Sequence, residues 1–388
     1  MKPKIILLLI LLSSTTIVAN DQQSILSGFI KFDAFYDTHP MVAAREGHYA
    51  LYPDDGPDKA QLNFVTFQSR FRITSPTYDI PFGKVTGLIE ADFFGTADGN
   101  ENQLRLRHSF IKMYNDKATI LFGQYWTPLF NIHVFPGTIS FNTGVPFQPF
   151  ARMPQIQAIY KISKTVSLLA ALTMQRDAYQ EIGGNEKQID AGIPGIHLHG
   201  RFTSKTLFAG SGFYYKTISP DSDIILNSIV TTAYTKMTLG AMQLKAKWTY
   251  GEDLADHIML GGYTAIADTI LNTVRYENIS SSNLWLDVSY KKSKVTYGLF
   301  FGRTNNLGMS TTVNDVELVE FFARGSSIKN INRISPRIQI QWEKLRLAYE
   351  FEMTSCDYFS DYKSNLIPSG TKNPVINYRN LFAVYLFF

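Results

Sequence analysis

The sequence predicts an all-β protein, a transmembrane antiparallel β-barrel of 16 strands whose third external loop folds inward. Three observations predict it: an export signal at the N-terminus, apolar and polar residues that alternate along most of the chain, and long links between strands that alternate with short ones. The composition agrees, because 28 Phe, 21 Tyr and 18% charged residues in a chain of 388 exclude a disordered protein. Beyond the N-terminus, no run approaches the roughly 20 apolar residues of a membrane-spanning helix.

The N-terminus has the pattern of a secretory signal peptide. Two lysines precede the apolar run Ile5–Leu12, and Ala19 supplies a small residue at the expected cleavage point. The apolar run is too short for a stable membrane span, although an uncleaved anchor is the alternative. We therefore expect residues 1–19 to be a cleaved signal peptide and residues 20–388 to form a single barrel domain. The one cysteine, Cys356, excludes an internal disulfide scaffold.

Alternation with a period of two marks most of the chain after the signal. In the first such segment Ile30, Phe32 and Tyr36 share one face, whereas Lys31 and Asp33 share the other. The segments 63–74, 242–250, 284–291, 334–343 and 345–353 repeat this pattern. Two folds produce it. In a soluble sandwich the apolar face packs a core, whereas in an outer-membrane barrel the apolar face meets lipid and the polar face lines a wet lumen.

The lengths of the links distinguish these two folds. Sixteen segments qualify as strands, and they begin near residues 28, 62, 84, 102, 118, 154, 165, 195, 206, 227, 242, 282, 294, 328, 345 and 377. Links after odd-numbered strands are mostly long, whereas links after even-numbered strands are mostly short; the long ones are 38–61, 125–153, 176–194, 251–281, 304–327 and 354–376. Two links after odd-numbered strands, 95–101 and 217–226, are shorter loops. A barrel has long external loops at one end and tight turns at the other, and a sandwich has no reason for this asymmetry.

The last segment, 378–388, is an alternating strand that ends in Phe388. Tyr378, Phe382 and Leu386 fall on the same face as Phe388, which predicts a lipid-facing row. This ending resembles the C-terminal signal that barrel-insertion machinery reads in Gram-negative bacteria. Together with the export signal, it predicts a partner in that machinery and a location in the outer membrane.

The link after the fifth strand, 125–153, is the third external loop, and it is rich in proline, glycine and large apolar residues and almost free of charge. Such a composition is unusual for a loop in water, because its aromatic groups need burial. We expect this constriction loop to fold inward and to narrow the lumen that a barrel of this size leaves open. The alternative is an external flap that packs on neighbouring protomers.

Several segments, in their order along the chain, resemble the DcaP-like trimeric outer-membrane porins. They are 27–34 (Ser-Gly-Phe-Ile-Lys-Phe-Asp-Ala), 104–110 (Leu-Arg-Leu-Arg-His-Ser-Phe), 122–128 (Phe-Gly-Gln-Tyr-Trp-Thr-Pro), 135–136 and 153–156. The resemblance implies a homotrimer that passes small anionic solutes such as dicarboxylates. The chain departs from the family at Met153 and at Gln157-Ala158, where more basic residues are expected, and this departure bears on solute preference.

Alternation also predicts which side chains face the lumen. The predicted pore-lining and constriction residues are Arg70, Arg72, Arg105, Arg107, Tyr125, Trp126, Arg152, His197, His199, Arg201, Lys245, Lys247, Arg337 and Arg346. Arginines two positions apart place their guanidinium groups about 7 Å apart on one wall, where they attract carboxylates and phosphates. Alternatively, these arginines pair with Glu90 and Asp92 in a neutral ladder. The third loop offers no acid, which favours a net basic constriction.

Histidines raise two further questions. His197 and His199 alternate on one strand and could bind a metal, but no third ligand is evident, so a pore-lining role is preferred and no metal or cofactor is predicted. His108 falls on the apolar face of its strand, where a polar group is costly, and it marks either a bulge or a contact between protomers.

The predicted function is a passive diffusion channel for small hydrophilic solutes with a preference for anions. The basic residues alternate with apolar ones and form no patch, so nucleic acid is not an expected partner. Two other classes stay open. A barrel enzyme of the lipase or protease type would need a site at the rim, where His39, His48, His133 and His257 lie in predicted loops. A structural or adhesion barrel would bind a partner through its loops.

Overall fold

The computed structural model describes residues 23–388 except 45–46, 96–97, 176–185, 223, 269, 314, 360 and 371. The predicted signal peptide, 1–19, lies outside the described residues. The strands, numbered in chain order, are β1 Ile25–Asp37, β2 Met41–Ala44, β3 Tyr49–Pro53, β4 Gln61–Val65, β5 Arg70–Thr74, β6 Tyr78–Ile80, β7 Gly83–Asp92, β8 Arg105–Tyr114, β9 Ala118–Trp126, β10 Arg152–Lys161, β11 Val166–Thr173, β12 Gly195–Thr203, β13 Leu207–Asp221, β14 Ile224–Leu239, β15 Met242–Glu252, β16 Gly261–Asp268, β17 Thr273–Lys292, β18 Val295–Gly308, β19 Val319–Arg324, β20 Ile328–Trp342, β21 Leu345–Tyr358, β22 Asp361–Tyr362, β23 Pro368–Ser369 and β24 Val375–Phe387.

Helical structure is confined to short segments. The helix α1 spans Glu186–Ala191, and single 3-10 turns span Asp98–Asn100, Ala255–His257 and Val316–Leu318. No helix in the described part of the chain is long and apolar enough to cross a membrane.

Sixteen antiparallel strands close into a barrel, as the sequence predicts. β1 pairs with β24 at one edge, with Ile30 opposite Leu386, and with β4 and β5 at the other. β4 and β5 are successive parts of one barrel strand, because both pair with β1 and β5 also pairs with β7. The rest follow in chain order as β7 to β15, β17, β18, β20, β21 and β24. Closure pairs the backbone groups across the whole wall, which a chain in lipid requires.

The two faces of the wall differ as the alternation predicts. On β1 the exposed fractions of Ile30 and Phe32 are 57% and 38%, whereas Lys31 and Asp33 are fully buried. β24 repeats the pattern, and its exposed row includes Leu386. The exposed apolar rows form the lipid-facing surface, and the polar rows face the interior.

The boundaries of several predicted loops are wrong, because the strand ladder continues beyond the predicted ends. Arg152 pairs with Trp126 and Met153 pairs with Tyr125, so the third external loop is 127–151 rather than 125–153. In the same way β17 begins at Thr273, inside the predicted loop 251–281. β13 and β14 occupy most of the segment 217–226, which was also predicted as a loop.

Additional short strands lie at the loop end of the barrel. β16 pairs with the first part of β17 and with β19, so this part of the sheet extends beyond the closed ladder. Two hairpins, β2–β3 in the first loop and β22–β23 in the last, complete the set. The loop end is therefore built largely from paired strands.

The largest buried apolar cluster joins external loops to the interior wall. It includes Tyr49 of the first loop and Phe141, Phe147 and Phe150 of the third. Phe141 stacks on Phe94 with ring centroids 4.1 Å apart. Most of the apolar residues that make the third loop unusual in sequence are thus buried.

Candidate functional site

One stretch of the interior wall, formed by β5, β7 and β8, carries the first predicted arginines. The ladder places Arg72 opposite Glu90 and Arg70 opposite Asp92. Arg72 donates two hydrogen bonds to Glu90, and Arg70 Nη1 lies 3.7 Å from Glu90 Oε1. Arg107, from the next strand, binds both acids: its Nε lies 2.8 Å from Glu90 Oε1 and its Nη1 lies 2.6 Å from Asp92 Oδ2.

Arg105 completes this stretch, and its Nη2 lies 3.0 Å from Asp92 Oδ2. We call Arg70, Arg72, Arg105 and Arg107, with Glu90 and Asp92, the arginine wall. The structure combines the two predicted alternatives, since the arginines do pair with the acids but outnumber them and leave a formal net charge of +2. Each carboxylate is buried, and removing all of its partners would leave an unpaired buried charge at a cost of about 3–5 kcal/mol.

His108 also faces the interior, which the simple alternation does not predict. The register between β7 and β8 shifts between Glu90 and Ala91, so Arg107 and His108 both turn inward. This is the bulge that the sequence offered as one explanation for His108. The imidazole lies 3.8 Å from Glu90 and packs against the rings of Tyr125 and Trp126.

A second stretch, formed by β17, β20 and β21, binds the backbone of the third loop. Glu350 accepts hydrogen bonds from the backbone N–H groups of Ile139 and Ser140 at 2.9 and 3.0 Å. Glu352 accepts one from the Asn142 amide at 3.0 Å. We call Asp287, Arg333, Arg337, Glu350 and Glu352 the anchoring wall. Its carboxylates satisfy loop donors that would otherwise be buried without partners.

Cations of the interior face bind carbonyl groups of the same loop. Arg333 Nη1 donates to the Val145 carbonyl at 2.8 Å, and Lys31 Nζ donates to the Ile139 carbonyl at 3.0 Å. The other contacts of this kind are Lys245 to Phe135 and Lys247 to Leu129. The loop is therefore hydrogen-bonded to strands on several sides of the barrel.

A cavity of about 430 Å³ lies between the arginine wall and the third loop. Its charged lining consists of five cationic side chains and one carboxylate: Arg70, Arg72, Arg107, Lys245, Arg346 and Glu90. Aromatic rings complete the lining, among them Trp126, Phe130, Phe135 and Tyr385. The cavity thus combines an excess of positive charge with apolar surfaces, an arrangement suited to small anions.

Two of the basic residues in this cavity come from strands outside the arginine wall. Lys245 Nζ donates to the Phe135 carbonyl at 3.1 Å and lies 5.3 Å from the centroid of the Phe135 ring. The Arg346 guanidinium lies 5.4 Å from the centroid of the Tyr385 ring and donates to Gln341 at 2.7 Å. Positive charge therefore borders the cavity on more than one side.

The other predicted residues lie outside the cavity lining. Arg337 pairs with Asp287 at 2.8 Å, and Arg152 lies 5.2 Å from the centroid of the Trp126 ring. Tyr125 packs on His108, Lys247 is buried against the loop, and Arg201 is partly exposed. Some of the predicted pore-lining residues therefore line the cavity, and the others lie elsewhere on the barrel wall.

The paired histidines of β12 are buried beside tyrosines. His197 stacks on Tyr214 with centroids 4.1 Å apart, and its Nε2 lies 3.2 Å from Thr173 Oγ1. His199 Nδ1 lies 3.4 Å from the Tyr234 hydroxyl. No group of three or more potential metal ligands occurs among the described residues.

Sequence reasoning missed a buried polar cluster that joins the third loop to the sixth. Lys216 Nζ lies 2.7 Å from Asp253 Oδ2 and 3.3 Å from Asp256 Oδ1. His257 Nδ1 lies 2.8 Å from Asp256, and its Nε2 lies 3.3 Å from the hydroxyl of Thr127. Burial alone would raise the pKa of Asp256, but the His257 ring and the Lys216 ammonium hold it below its ordinary value. The only signal in the sequence was the two acids and the histidine of the otherwise apolar stretch 253–260.

The remaining loop histidines occupy separate sites. His39 Nδ1 lies 2.7 Å from Asp58, and His48 Nε2 lies 2.7 Å from Asp33. His133 packs against the Phe208 ring, with centroids 4.9 Å apart. These contacts give each histidine an acidic or an aromatic neighbour.

These features define a class of fold, the closed sixteen-stranded barrel of the porins. No family model matches the chain, and no curated protein matches it. Among solved structures, the outer membrane channel DcaP of Acinetobacter baumannii is similar with a TM-score of 0.70 at 18% identity, over 94% of this chain and 97% of that one. The sequence-based resemblance to DcaP-like porins is thus confirmed at the level of the fold.

Two further solved structures share this fold. An anion-selective porin from Comamonas acidovorans aligns with a TM-score of 0.59 at 10% identity, over 94% of this chain and 99% of that one. OmpT, an outer membrane protein of Vibrio cholerae, aligns with a TM-score of 0.58 at 9% identity, over 94% and 97%. At these identities the similarity concerns the fold.

Proposed function

We propose that this chain is an outer-membrane porin, a passive diffusion channel that prefers small anions such as dicarboxylates. The observation that carries the proposal is the cavity between the arginine wall and the third loop, with five cationic side chains against one carboxylate. Such a lining attracts anions and disfavours cations, because fields are focused in a narrow passage with low-dielectric walls.

The third loop supplies the narrowing in this proposal. Its backbone is hydrogen-bonded to Glu350, Arg333 and Lys31, all of which belong to the polar face of the barrel strands. A loop held in this way folds into the barrel and brings its aromatic residues opposite the arginine wall. A sixteen-stranded barrel without such a loop would leave a wide aqueous channel.

Transport in this proposal involves no covalent step. A carboxylate enters from bulk water, exchanges part of its hydration for arginine N–H groups, and leaves because no single site binds it too tightly. Arg72 is the most exposed member of the arginine wall, since its side chain is 46% exposed and those of Arg70 and Arg107 are 17% and 3% exposed. We assign Arg72 the first contact with a passing solute.

We further propose that three such barrels assemble in the outer membrane. One of the similar solved structures of OmpT from Vibrio cholerae is described as a trimer form. Export by the predicted signal peptide 1–19 and insertion by machinery that recognises Phe388 belong to the same proposal. Chemical cross-linking in isolated outer membranes tests it, because a ladder that ends at three protomers is expected, and a monomer alone would contradict it.

Single-channel recording with purified protein tests the main proposal. In a planar bilayer with a KCl gradient, we expect stepwise conductance and a reversal potential of the sign that indicates chloride preference. Added dicarboxylate should reduce chloride current by occupying the same passage. A bilayer that stays sealed, or a reversal potential that indicates cation preference, would contradict the proposal.

A further inference from the structure

The lipid-facing surface of the barrel contains a groove that no part of the chain fills. It lies across β12 to β15, has a volume of about 670 Å³ and is predominantly apolar. Its floor consists of exposed small residues, among them Gly200, Ser211 and Ala233. Phe202 and Trp248 stand at its edges, with exposed fractions of 41% and 42%.

The strand register explains why a groove forms here. Gly200 pairs with Ser211, Ser211 with Ala233 and Ala233 with Trp248. Three small residues therefore follow one another across the ladder before a large one. Neighbouring strands lie about 4.8 Å apart, so the small residues cover a strip about 10–15 Å long. Apolar atoms in hydrocarbon pack closely, and a strip of this size accommodates a segment of an acyl chain.

The short turns below this groove carry a separate feature, an excess of positive charge. Six exposed lysines lie in or beside the turns that connect β10 to β11, β12 to β13 and β17 to β18: Lys161, Lys164, Lys205, Lys291, Lys292 and Lys294. These turns and the β14–β15 turn contain no acidic residue. Lysines near a membrane surface attract anionic lipids.

The remaining short turns of the barrel are balanced in charge. Three lysines, at positions 84, 117 and 344, accompany three acids, at positions 79, 116 and 343. Lys84 is paired with Asp79 at 2.9 Å. Among the described residues, Lys164 and Lys205 form no ion pair. The excess of charge is therefore confined to the turns at and beside the groove.

We propose that this face binds an anionic glycerophospholipid from the leaflet that borders the short turns. One acyl chain occupies the groove, and the phosphate contacts Lys164 and Lys205. Val166 and Phe202 lie within three residues of those lysines and also line the groove. At about 3.3 Å per strand residue, the headgroup and the chain of one lipid molecule reach both features.

A second copy of the chain fits this face less well. A neighbouring barrel would bring either its own six-lysine side, which repels, or its balanced side, which offers no net attraction. A soluble anionic polymer would satisfy the lysines but would leave the apolar groove exposed. An anionic lipid satisfies both features, and this inference does not depend on what passes through the pore.

Lipid binding to the full-length protein tests the inference. We would measure retention of phosphatidylglycerol and of phosphatidylcholine, which have matched acyl chains, by native mass spectrometry in detergent. Wild-type protein should retain phosphatidylglycerol preferentially. In the double variant Lys164→Gln/Lys205→Gln, the ratio of retained phosphatidylglycerol to retained phosphatidylcholine should fall about tenfold, since each lysine near a lipid surface attracts anionic lipid. The double variant Lys117→Gln/Lys344→Gln is the matched control and should keep it.

The groove needs its own variant. Gly200→Leu fills it, and a Cβ at Gly200 meets no other atom within 4 Å, so the barrel tolerates the change. We expect this variant to lose retention of both lipids while its heat-dependent migration in gel electrophoresis stays normal. If Gly200→Leu leaves retention unchanged, or if glycerol phosphate without acyl chains competes equally well, the inference is wrong. Loss of oligomer with retention unchanged would instead assign the face to a second copy.

Discussion

The arginine wall and the anchoring wall share one sequence pattern, in which charged residues alternate along the strands, yet they differ in what their charges contact. In the arginine wall, arginines outnumber acids, and three of them line the cavity. In the anchoring wall, Glu350 and Glu352 accept hydrogen bonds from the third loop, and Arg333 donates to its backbone. One wall therefore presents charge to the passage, whereas the other uses charge to hold the loop.

This difference shows that the role of an inward charge depends on what stands opposite it. A carboxylate that faces backbone N–H groups is satisfied by them and contributes little field to the passage. An arginine that shares its acid with other arginines keeps an uncompensated charge. Substitutions in the two walls should accordingly change different properties, with selectivity depending on the first wall and loop order on the second.

The largest effect is expected from Arg70→Gln/Arg72→Gln/Arg107→Gln. The formal charge of the arginine wall falls from +2 to −1, because Glu90 and Asp92 remain. We expect the ratio of anion to cation permeability to fall at least about tenfold and to invert, since a unit charge at 4 Å contributes about 1 kcal/mol even in water. The reversal potential in a KCl gradient measures this change.

Two further variants support the interpretation of that experiment. Arg72→Gln alone removes the most exposed guanidinium and should lower selectivity without loss of folding, because Arg70 and Arg107 still bind Glu90. Arg379→Gln is the matched control, since this arginine pairs with Asp37 at 2.7 Å and lies outside the cavity lining. Equal effects of Arg72→Gln and Arg379→Gln would contradict a special role for the arginine wall.

The next effect concerns the anchoring wall. In Glu350→Gln the side-chain amide accepts at one atom only, so one of the N–H groups of Ile139 and Ser140 loses its partner. An unsatisfied buried donor costs about 1–3 kcal/mol. We expect more frequent brief closures and substates in single-channel traces, with little change in ion selectivity. If Glu350→Gln instead shifts the reversal potential and adds no closures or substates, the anchoring wall controls selectivity rather than loop order.

A smaller effect is expected from Lys245→Gln, because this residue takes part in both roles. Its ammonium lines the cavity but also donates to the Phe135 carbonyl at 3.1 Å. We expect the permeability ratio to fall by about twofold to threefold, less than for the arginine variants, since a single charge that is partly open to water and salt is screened. Lys247→Gln, buried outside the cavity, is the control. If the permeability ratio falls tenfold in Lys245→Gln, then Lys245 rather than the arginine wall is the main determinant of selectivity.

The sequence predicted the elements that depend on local pattern. Alternation is a local property, so it predicted the outward row of Ile30 and Phe32 and the inward position of Lys31 and Asp33. Links of different length predicted the number of strands, because tight turns follow every second strand. Where the ladder continued past the membrane, as in β17, the same pattern gave a strand that was too short.

The sequence could not predict contacts whose two partners lie far apart in the chain. Glu350 and Ser140 are 210 positions apart, and no pattern around either residue indicates the other. The cluster of Lys216, Asp256 and His257 was missed for the same reason. His108 shows a different limit, since a single extra residue in β8 turns it inward, and only the pairing with β7 reveals that bulge. The pairing of four arginines with two acids in the arginine wall likewise could be known only from the distances between their side chains.

The smallest expected effect lies where the two walls meet, at β1 and the first loop. His48 Nε2 contacts Asp33 at 2.7 Å, Asp33 also binds Lys31 at 2.9 Å, and the ring packs against Phe94. Burial lowers the pKa of His48 below its ordinary value of 6.5, although Asp33 opposes the shift. The His48 ring therefore binds a proton less readily in the folded first loop than it would if this loop opened and exposed the ring to water.

The sign of the pH effect follows from this difference. As pH falls below 6.5, the open state binds more protons than the closed state, so the closed first loop loses stability. Opening of β3 should become more frequent by up to about tenfold per pH unit in this range. Hydrogen exchange at β3, corrected for the intrinsic pH dependence, measures it, and His48→Gln should abolish the dependence. If the pH dependence of exchange at β3 is unchanged in His48→Gln, a group other than His48 causes it.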